Sequence, residues 1–263
     1  MNLSVCLITF NEADRVRRCL DSVASVADEI IVFDSQSRDD TVAIVKEYTD
    51  KVWVTEWPGF GIQKQRALEK ASGDWVLIID ADEALDEQAQ RSIAELKRKA
   101  DDDIKEVGFK LPWAVIRHGK RLKHGRSARA PLRLLRRDGT YFHPDLVHER
   151  LGHSPGGIGT IAGYLLHYTS RHYGHALEKN ANYAWLGSQR YFERGKRNRS
   201  LFVALLRSIW TFLLIYIIRG GILDGRIGFV VAMNYAMGNF NKHVGLWLLS
   251  QQEKGKFLDD DHR

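Results

Sequence analysis

The chain has 263 residues, of which 44% are hydrophobic and 27% are charged, and this composition is that of a globular protein rather than a disordered one. Residues 1–100 carry 13 Lys/Arg against 19 Asp/Glu, a net of −6, whereas residues 101–263 carry 26 against 14, a net of +12. The acidic part suits a metal-dependent site, and the basic part suits an anionic partner such as a membrane or a polyanion.

The two cysteines, Cys6 and Cys19, lack the spacing of a metal site or a disulfide framework. We therefore expect both thiols to lie in the core of a protein from a reducing compartment. The first residues do not form a basic region followed by a long apolar stretch, so no signal peptide is predicted. These features predict a cytoplasmic protein.

Strand and helix patterns alternate along the first hundred residues. Short apolar runs at 3–9, 29–33, 51–55 and 75–79 are separated by segments with helical periodicity. This alternation is typical of a βαβ series, in which right-handed crossovers connect parallel strands. The sequence therefore predicts an α/β fold with a mostly parallel sheet.

Polar side chains follow three of these predicted strands. They are Thr9, Asn11 and Glu12 at the end of the first strand and just after it, Asp34 and Ser37 after the second, and Asp80 and Asp82, on either side of Ala81, after the fourth. The carboxyl ends of parallel strands meet at the edge of the sheet where ligands bind. Two carboxylates one residue apart can share a hard cation and leave its other positions to phosphate oxygens. The alternative for each acid alone is a capping or surface role.

The middle of the chain shows weaker patterns. Residues 117–129 form a basic loop without apolar periodicity, and Asp138-Gly139 predicts a hairpin turn within residues 133–143. Residues 156–159, Gly-Gly-Ile-Gly, do not complete a dinucleotide fingerprint, so we expect them to form a loop.

A strongly apolar helix is predicted near the end of the chain. Residues 201–218 contain fifteen apolar residues in eighteen, and the basic cluster 194–199 precedes them. The segment is slightly shorter than the ~20 residues of a spanning helix and contains Arg207. We therefore predict a helix lying in the membrane interface, with a buried helix and a true span as alternatives.

The predicted domain boundary follows from the change in sequence pattern, from alternating strands and helices to helices alone. We expect a catalytic domain over residues 1–168 and a helical, membrane-associating region over residues 169–263. Small residues in the last predicted helix, 226–249, allow close approach to another helix.

Five stretches of the chain carry a family resemblance. They are Ile8-Thr9-Phe10-Asn11-Glu12, Asp34-Ser35-Gln36-Ser37-Arg38-Asp39-Asp40-Thr41, Trp57-Pro58-Gly59-Phe60-Gly61-Ile62-Gln63-Lys64, Gly73-Asp74-Trp75 and Asp80-Ala81-Asp82-Glu83. Together they resemble the inverting family 2 glycosyltransferases of GT-A fold, a Rossmann-like α/β domain that binds a nucleotide sugar. Residues 59–64 and 219–225 are most similar to the lipopolysaccharide core biosynthesis branch, whose members add glucose to a heptose of the inner core. The chain departs from the family pattern at Gln36 and Asp40, where such enzymes commonly have glycine, and this departure predicts a stiffer loop.

The resemblance implies roles for the polar residues at the sheet edge. Glu12, Asp34 and Asp80 would hold the uridine and ribose of the donor. The other expected nucleotide-sugar-binding residues at this edge are Thr9, Asn11, Ser37 and Ala81. Asp82 would bind Mg²⁺ or Mn²⁺ on the diphosphate, and His148 would complete the metal shell or orient the site. Lys64 and Arg66, near the start of their helix, would add positive charge for phosphate.

Inversion needs one general base that deprotonates the acceptor hydroxyl. The resemblance places this base in the second half of the chain, where Glu149 is the first candidate and Asp145 the second. A salt bridge with Arg150 is the alternative role for Glu149.

The resemblance also predicts the acceptor and the location. The basic loop 117–129 with Arg133, Arg136 and Arg137 would face a phosphate-rich, lipid-anchored core oligosaccharide. No nucleic-acid partner is expected, because the basic stretch lacks a series of stacking aromatic residues. We expect transfer of glucose from UDP-glucose at the cytoplasmic face of the inner membrane, which offers an anionic surface. The alternatives are a polyprenyl-linked or capsular acceptor, and a non-enzymatic membrane-bound scaffold.

Overall fold

A computed structural model describes residues 1–124, 130–143, 151–198 and 200–256. The chain divides into two compact units, the first formed by Met1–Ala114 with Arg129–Tyr168 and the second by Val115–Ala128 with Thr169–Arg263. The second unit thus includes residues 115–128, which the sequence prediction placed in the first domain.

The strands and helices follow the predicted alternation over the first hundred residues. The strands are β1 Leu3–Thr9, β2 Glu29–Asp34, β3 Val52–Val54, β4 Trp75–Asp80, β5 Glu83–Leu85, β6 Glu106–Lys110, β7 Trp113–Arg117, β8 Lys120–Leu122, β9 Leu132–Arg136, β10 Tyr141–Phe142, β11 Leu151–Gly152, β12 Gly157–Thr160 and β13 Leu165–His167. The helices are α1 Val16–Ala24, α2 Thr41–Lys46, α3 Phe60–Lys70, α4 Glu87–Lys97, α5 Tyr173–Glu193, α6 Leu201–Leu213 and α7 Gly225–Gln252.

The main sheet of the first unit has the strand order β12-β6-β9-β4-β1-β2-β3 over the described residues. Strands β4, β1, β2 and β3 are parallel, and β9 runs antiparallel to its neighbours β4 and β6. The predicted α/β fold with a mostly parallel sheet is therefore confirmed.

Apolar side chains cover both faces of this sheet. Every residue of β1 is buried, and alternate residues belong to two separate apolar clusters, one including α1 and α4 and the other including α3. A sheet buried on both faces explains why its central strands read as continuous apolar runs. Cys6 lies in one cluster and Cys19 in the other, as predicted.

Two predictions for residues 130–160 are wrong. Gly139 adopts a left-handed turn with φ 75°, but the strands on either side do not pair, because β9 joins the main sheet while β10 pairs with β11. The predicted loop at 156–159 instead contributes to β12, which pairs with β6. A Cβ at Gly159 would lie 2.5 Å from the Phe109 ring, so the missing side chain permits this pairing.

Helices α5, α6 and α7 form the larger part of the second unit. Ser188 Oγ on α5 donates to the Lys242 carbonyl on α7 at 2.7 Å, and a Cβ at Gly245 would lie 2.5 Å from that hydroxyl. Ser208 Oγ on α6 donates to the Ala236 carbonyl on α7 at 2.9 Å. Small residues and polar contacts therefore hold these helices close together, as predicted for α7.

The apolar helix of the second unit is exposed. Over Leu201–Ile218, which continues α6 through a π-helical turn, the segment is long and apolar enough to cross a membrane, and 11% of it is buried. Phe202, Trp210 and Ile218 are each more than half exposed. Within its own unit the helix is therefore largely uncovered.

Histidine 243 on α7 makes stability of the second unit depend on pH. His243 is buried, and burial together with the positive charges of Lys242, Arg207 and Lys196 lowers the pKa of its imidazole to about 4. The unfolded chain takes up this proton near pH 6.5, so the stabilisation by neutral His243 is present above that pH and is lost toward pH 4. We expect the free energy of unfolding to fall by about 2 kcal/mol more between pH 7 and pH 5 in the wild type than in His243→Gln.

Chemical denaturation in detergent at both pH values measures this difference. Equal pH slopes for the two proteins would contradict it.

Candidate functional site

Three of the predicted strand ends lie side by side at one edge of the main sheet. The register pairs Thr9 with Asp34 across β1 and β2, and Ile8 with Asp80 across β1 and β4. Asp82 follows in the turn between β4 and β5. The structure thus brings together the acids that the sequence prediction assigned to one site.

The loops after β1 and β2 are joined by hydrogen bonds around Asp34. Thr9 Oγ1 donates to Asp34 Oδ2 at 2.7 Å, and Ser37 donates to the same carboxylate from its backbone nitrogen and its hydroxyl. The backbone nitrogen of Asn11 donates to Ser37 Oγ at 2.8 Å. Because Asp34 is fully buried, this carboxylate fixes the shape of the two loops. Its direct contact with a nucleoside stays a prediction.

Gln36, which stands where the family commonly has glycine, keeps a backbone conformation that favours glycine. Gln36 has φ 63° and Asn11 has φ 53°, so both residues lie in the left-handed region that favours glycine. The Asn11 side chain accepts a hydrogen bond from the Arg38 backbone nitrogen at 2.8 Å. The bonds around Asp34 therefore maintain a backbone that glycine would adopt with less strain.

Asp80 belongs to a network of buried charges. Its carboxylate lies 2.7 Å from Lys64 Nζ and 2.9 Å from Arg133 Nη2. The same Arg133 nitrogen lies 2.7 Å from Glu83 Oε1, which also accepts from Trp113 Nε1 at 2.9 Å. Two carboxylates and two cations thus satisfy each other inside the first unit.

The network shifts the pKa values of its acids in opposite directions. Burial opposes the charge on Asp80, but Lys64 and Arg133 outweigh it and hold the pKa of that carboxyl well below its usual range. Burial raises the pKa of Glu83, which Arg133 only partly offsets. Asp80 is therefore a fixed anion whose charge is balanced within the protein.

Several cations predicted to face substrates are engaged within the protein. Lys64 is buried against Asp80, and Arg66 lies 3.1 Å from the Gln63 side-chain oxygen. Arg136 donates to the Ile104 carbonyl at 2.7 Å, and Arg137 donates to the Gly73 carbonyl at 2.9 Å. For Arg133 the predicted acceptor contact is wrong, because the guanidinium is buried between Asp80 and Glu83.

Asp82 has a different environment from Asp80. His167 Nε2, at the end of β13, lies 3.5 Å from Asp82 Oδ2, and Arg15 Nη1 lies 3.8 Å from the same oxygen. Arg15 is itself paired with Glu12, whose Oε2 accepts from Arg15 Nε at 2.7 Å. A carboxylate, an imidazole and a guanidinium therefore converge beside the Asp-x-Asp turn.

The donor set at Asp82 fits a divalent cation. A carboxylate oxygen and a neutral imidazole nitrogen are ligands that Mg²⁺ and Mn²⁺ accept, and the 3.5 Å separation brings both within reach of one ion. Within the described residues no group of three or more His, Cys, Asp or Glu side chains is arranged to hold a metal. Asp82 and His167 would therefore hold the cation only together with ligand oxygens and water.

The predicted base and the predicted second metal ligand cannot be placed in this way. Glu149, Asp145 and His148 lie outside the described residues.

Sequence reasoning missed several residues at this edge. The local sequence around Arg15 and His167 does not indicate a site. Arg15 lies just before α1 and His167 at the end of β13, and both approach Asp82 only in the folded chain. Phe10 could have been found from the sequence, because it is a large apolar residue in a polar loop directly after β1. Its side chain is 55% exposed and offers a face on which a planar base can stack.

These features define a class of protein. In open α/β proteins such a sheet edge is where nucleotides bind, and the Asp-x-Asp turn with the His167 imidazole beside it suits a nucleotide whose phosphates carry a metal. Residues 4–168 match the family model described as glycosyl transferase family 2. The chain belongs to this family, which confirms the resemblance found in the sequence.

Two relatives and one solved structure are similar to this chain over most of its length. The chain is 32% identical over 250 residues to the lipopolysaccharide core biosynthesis glycosyltransferase LpsC of Rhizobium meliloti, covering 90% of this chain and 89% of LpsC. It is 28% identical over 269 residues to the uncharacterized glycosyltransferase RT0209 of Rickettsia typhi, covering 99% and 91%. The crystal structure of S. aureus TarS 1-349 in complex with UDP-GlcNAc aligns with 96% of this chain and 92% of that chain, with 14% identity and a TM-score of 0.48.

Proposed function

We propose that this glycosyltransferase moves glucose from UDP-glucose onto a heptose of the lipopolysaccharide inner core, with inversion and with Mg²⁺ or Mn²⁺. The observation that carries the proposal is the pairing of Asp82 with His167, 3.5 Å apart at the sheet edge. The similarity to LpsC over most of both chains supports a core oligosaccharide as the acceptor.

The residues at the sheet edge are assigned to binding the donor and its metal ion. The two loops that are joined through Asp34 would line the nucleoside site, and Phe10, which is exposed, would offer a stacking surface for uracil. Asp82 and His167 would hold the cation, which when bound neutralises the charge that develops on the leaving UDP.

Acceptor activation is assigned to the segment 144–150. Glu149 is proposed as the general base, with Asp145 second. One base is sufficient, because an inverting transfer is a single displacement in which the acceptor hydroxyl loses its proton as it attacks. Glu149→Gln is expected to abolish transfer while leaving UDP affinity unchanged, and equal losses of both would contradict a role as base.

We also propose that the chain works at the cytoplasmic face of the inner membrane. Phe202 and Trp210 expose apolar rings on α6, and Lys196 and Arg219 flank the helix with positive charge. Apolar insertion combined with basic flanks favours an anionic bilayer surface. Flotation with vesicles containing phosphatidylglycerol tests this location, and a chain that stays in the unbound fraction would contradict it.

The donor and the metal are tested by UDP release. The protein is incubated with core oligosaccharide and each of several nucleotide sugars, with Mn²⁺, with Mg²⁺ or with a chelator. We expect rapid UDP release from UDP-glucose alone and only with a metal. Turnover of a different nucleotide sugar would overturn the donor assignment, and undiminished turnover with the chelator would overturn the metal.

The same incubation distinguishes the acceptors. Release with a polyprenyl-linked or capsular acceptor and not with core oligosaccharide would favour the alternative acceptor class. The absence of turnover with every donor and acceptor would favour a scaffold role.

A further inference from the structure

A cavity of about 160 Å³ with both polar and apolar lining lies within the second unit, between α5, α7 and the end of β7. A single water needs only ~10–15 Å³ of such space, so the cavity has room for a larger group. Its polar lining includes Arg117, Lys179, Asn180 and Asn234. None of these residues belongs to the proposed transfer site.

Both cations in the cavity lack a carboxylate partner among the described residues. Arg117 is half-buried and donates from Nη1 to Ser170 Oγ at 3.2 Å, a neutral partner that leaves its charge uncompensated. Burial lowers the pKa of Arg117, as expected for a guanidinium removed from water without a counter-charge. Lys179, in the second turn of α5, lines the same cavity and is exposed. A partly desolvated cation without an anion is costly unless a ligand supplies the anion.

The neutral lining is fixed in position. Asn180 Nδ2 donates to Asn234 at both its backbone carbonyl, 2.7 Å away, and its side-chain oxygen, 2.6 Å away. These bonds connect α5 to α7 across the cavity and hold the two amides still. The Arg117 guanidinium, the Lys179 ammonium and the side-chain nitrogen of Asn234 are donors that match an anion with several oxygens rather than a single carboxylate.

We propose that this cavity binds the phosphate group of a phosphate ester. A phosphate offers three oxygens and up to two negative charges, enough for Arg117 and Lys179 together. The exposed apolar side chains of Leu177 and Met233, next to the lining positions on α5 and α7, suit a lipid that carries the phosphate. A soluble phosphate ester has the same charged group, so the two sources are separated by experiment.

The test compares two double variants that remove the same charge. Arg117→Gln with Lys179→Gln alters the cavity, and Lys254→Gln with Lys256→Gln removes two exposed cations elsewhere in the same unit. Binding is measured without any sugar transfer, so failure of the proposed enzyme function does not affect the result. One arm uses vesicles of phosphatidylglycerol against phosphatidylcholine, and the other uses the thermal shift caused by glycerol 1-phosphate.

We expect the cavity variant to bind anionic vesicles at least about tenfold more weakly than the control variant, or to lose the thermal shift, or both. Loss in the vesicle arm alone identifies a lipid headgroup, and loss in the glycerol phosphate arm alone identifies a soluble ester. Cavity and control variants that behave alike in both arms overturn the proposal.

A structural role for Arg117 is excluded by a third measurement. Because its charge is uncompensated, Arg117→Gln is expected to leave the Tm of the ligand-free protein unchanged or higher. Arg117→Lys, which keeps the charge but loses the planar fork, should retain part of the binding. A lowered Tm in Arg117→Gln together with unaltered binding in Arg117→Lys would show that Arg117 only supports the fold.

Discussion

Asp82→Asn is expected to lower turnover of the nucleotide sugar by about 100- to 1,000-fold, corresponding to several kcal/mol of lost charge stabilisation. Asparagine keeps the size of the side chain but removes the negative charge that faces His167 and Arg15. A divalent cation then loses its anionic protein ligand. The measurement is the initial rate of UDP release at saturating donor and metal.

Asp50→Asn is the matched control for this prediction. Asp50 is exposed just before β3, at the opposite edge of the sheet, so the same change of charge should leave the rate within twofold. UDP affinity gives a second readout, because Asp82→Asn should weaken UDP binding with Mn²⁺ present and leave it unchanged with a chelator. Wild-type turnover in Asp82→Asn would remove this carboxylate from the mechanism.

The same UDP-binding assay tests whether His167 or His148 supports metal binding beside Asp82. His167→Ala should weaken Mn²⁺-dependent UDP binding by about tenfold or more, because Asp82 loses the imidazole beside it. His148→Ala tests the residue that the sequence prediction favoured. A loss confined to the His148 variant would reverse the assignment.

Arg133→Met is expected to lower the free energy of unfolding by about 3–5 kcal/mol. Arg133 is the buried cation shared by Asp80 and Glu83, and its removal leaves the fully buried Glu83 without a positive partner while Asp80 keeps Lys64. An uncompensated buried carboxylate costs far more than the original ion pair contributes. Chemical denaturation followed by circular dichroism measures the loss.

Two further variants make this prediction specific. Arg133→Met combined with Glu83→Gln removes one charge of each sign and should recover a large part of the stability. Arg17→Met breaks the exposed ion pair with Glu47 and should change stability little. A loss for Arg133→Met no larger than that for Arg17→Met would mean that the network does not stabilise the fold.

The sequence was sufficient to predict the parallel strands of the main sheet. Strands β1, β2 and β4 are buried on both faces, so each reads as an unbroken apolar run, and each ends at a polar residue. Since parallel strands end at one edge, the proximity of Asp34 and Asp80 followed from topology alone.

The partners of these acids depend on long-range pairing and could not be predicted. Arg133 reaches Asp80 because β9 lies beside β4 as an antiparallel strand, and a hairpin around Asp138-Gly139 was the locally favoured alternative. His167 reaches Asp82 because β13 pairs antiparallel with β5, with His167 opposite Glu83. Neither pairing leaves a local pattern, because each depends on residues fifty or more positions apart in the sequence.

The proposed transfer is tested most directly by the product. The full chain in detergent or vesicles is incubated with UDP-glucose, Mn²⁺ and heptose-containing core oligosaccharide, and the product is analysed by mass spectrometry and NMR. We predict one added hexose on heptose in the β configuration, inverted from the α linkage in UDP-glucose, and no product with Asp82→Asn. An α-linked product, or no hexose addition with any nucleotide sugar, would contradict the account.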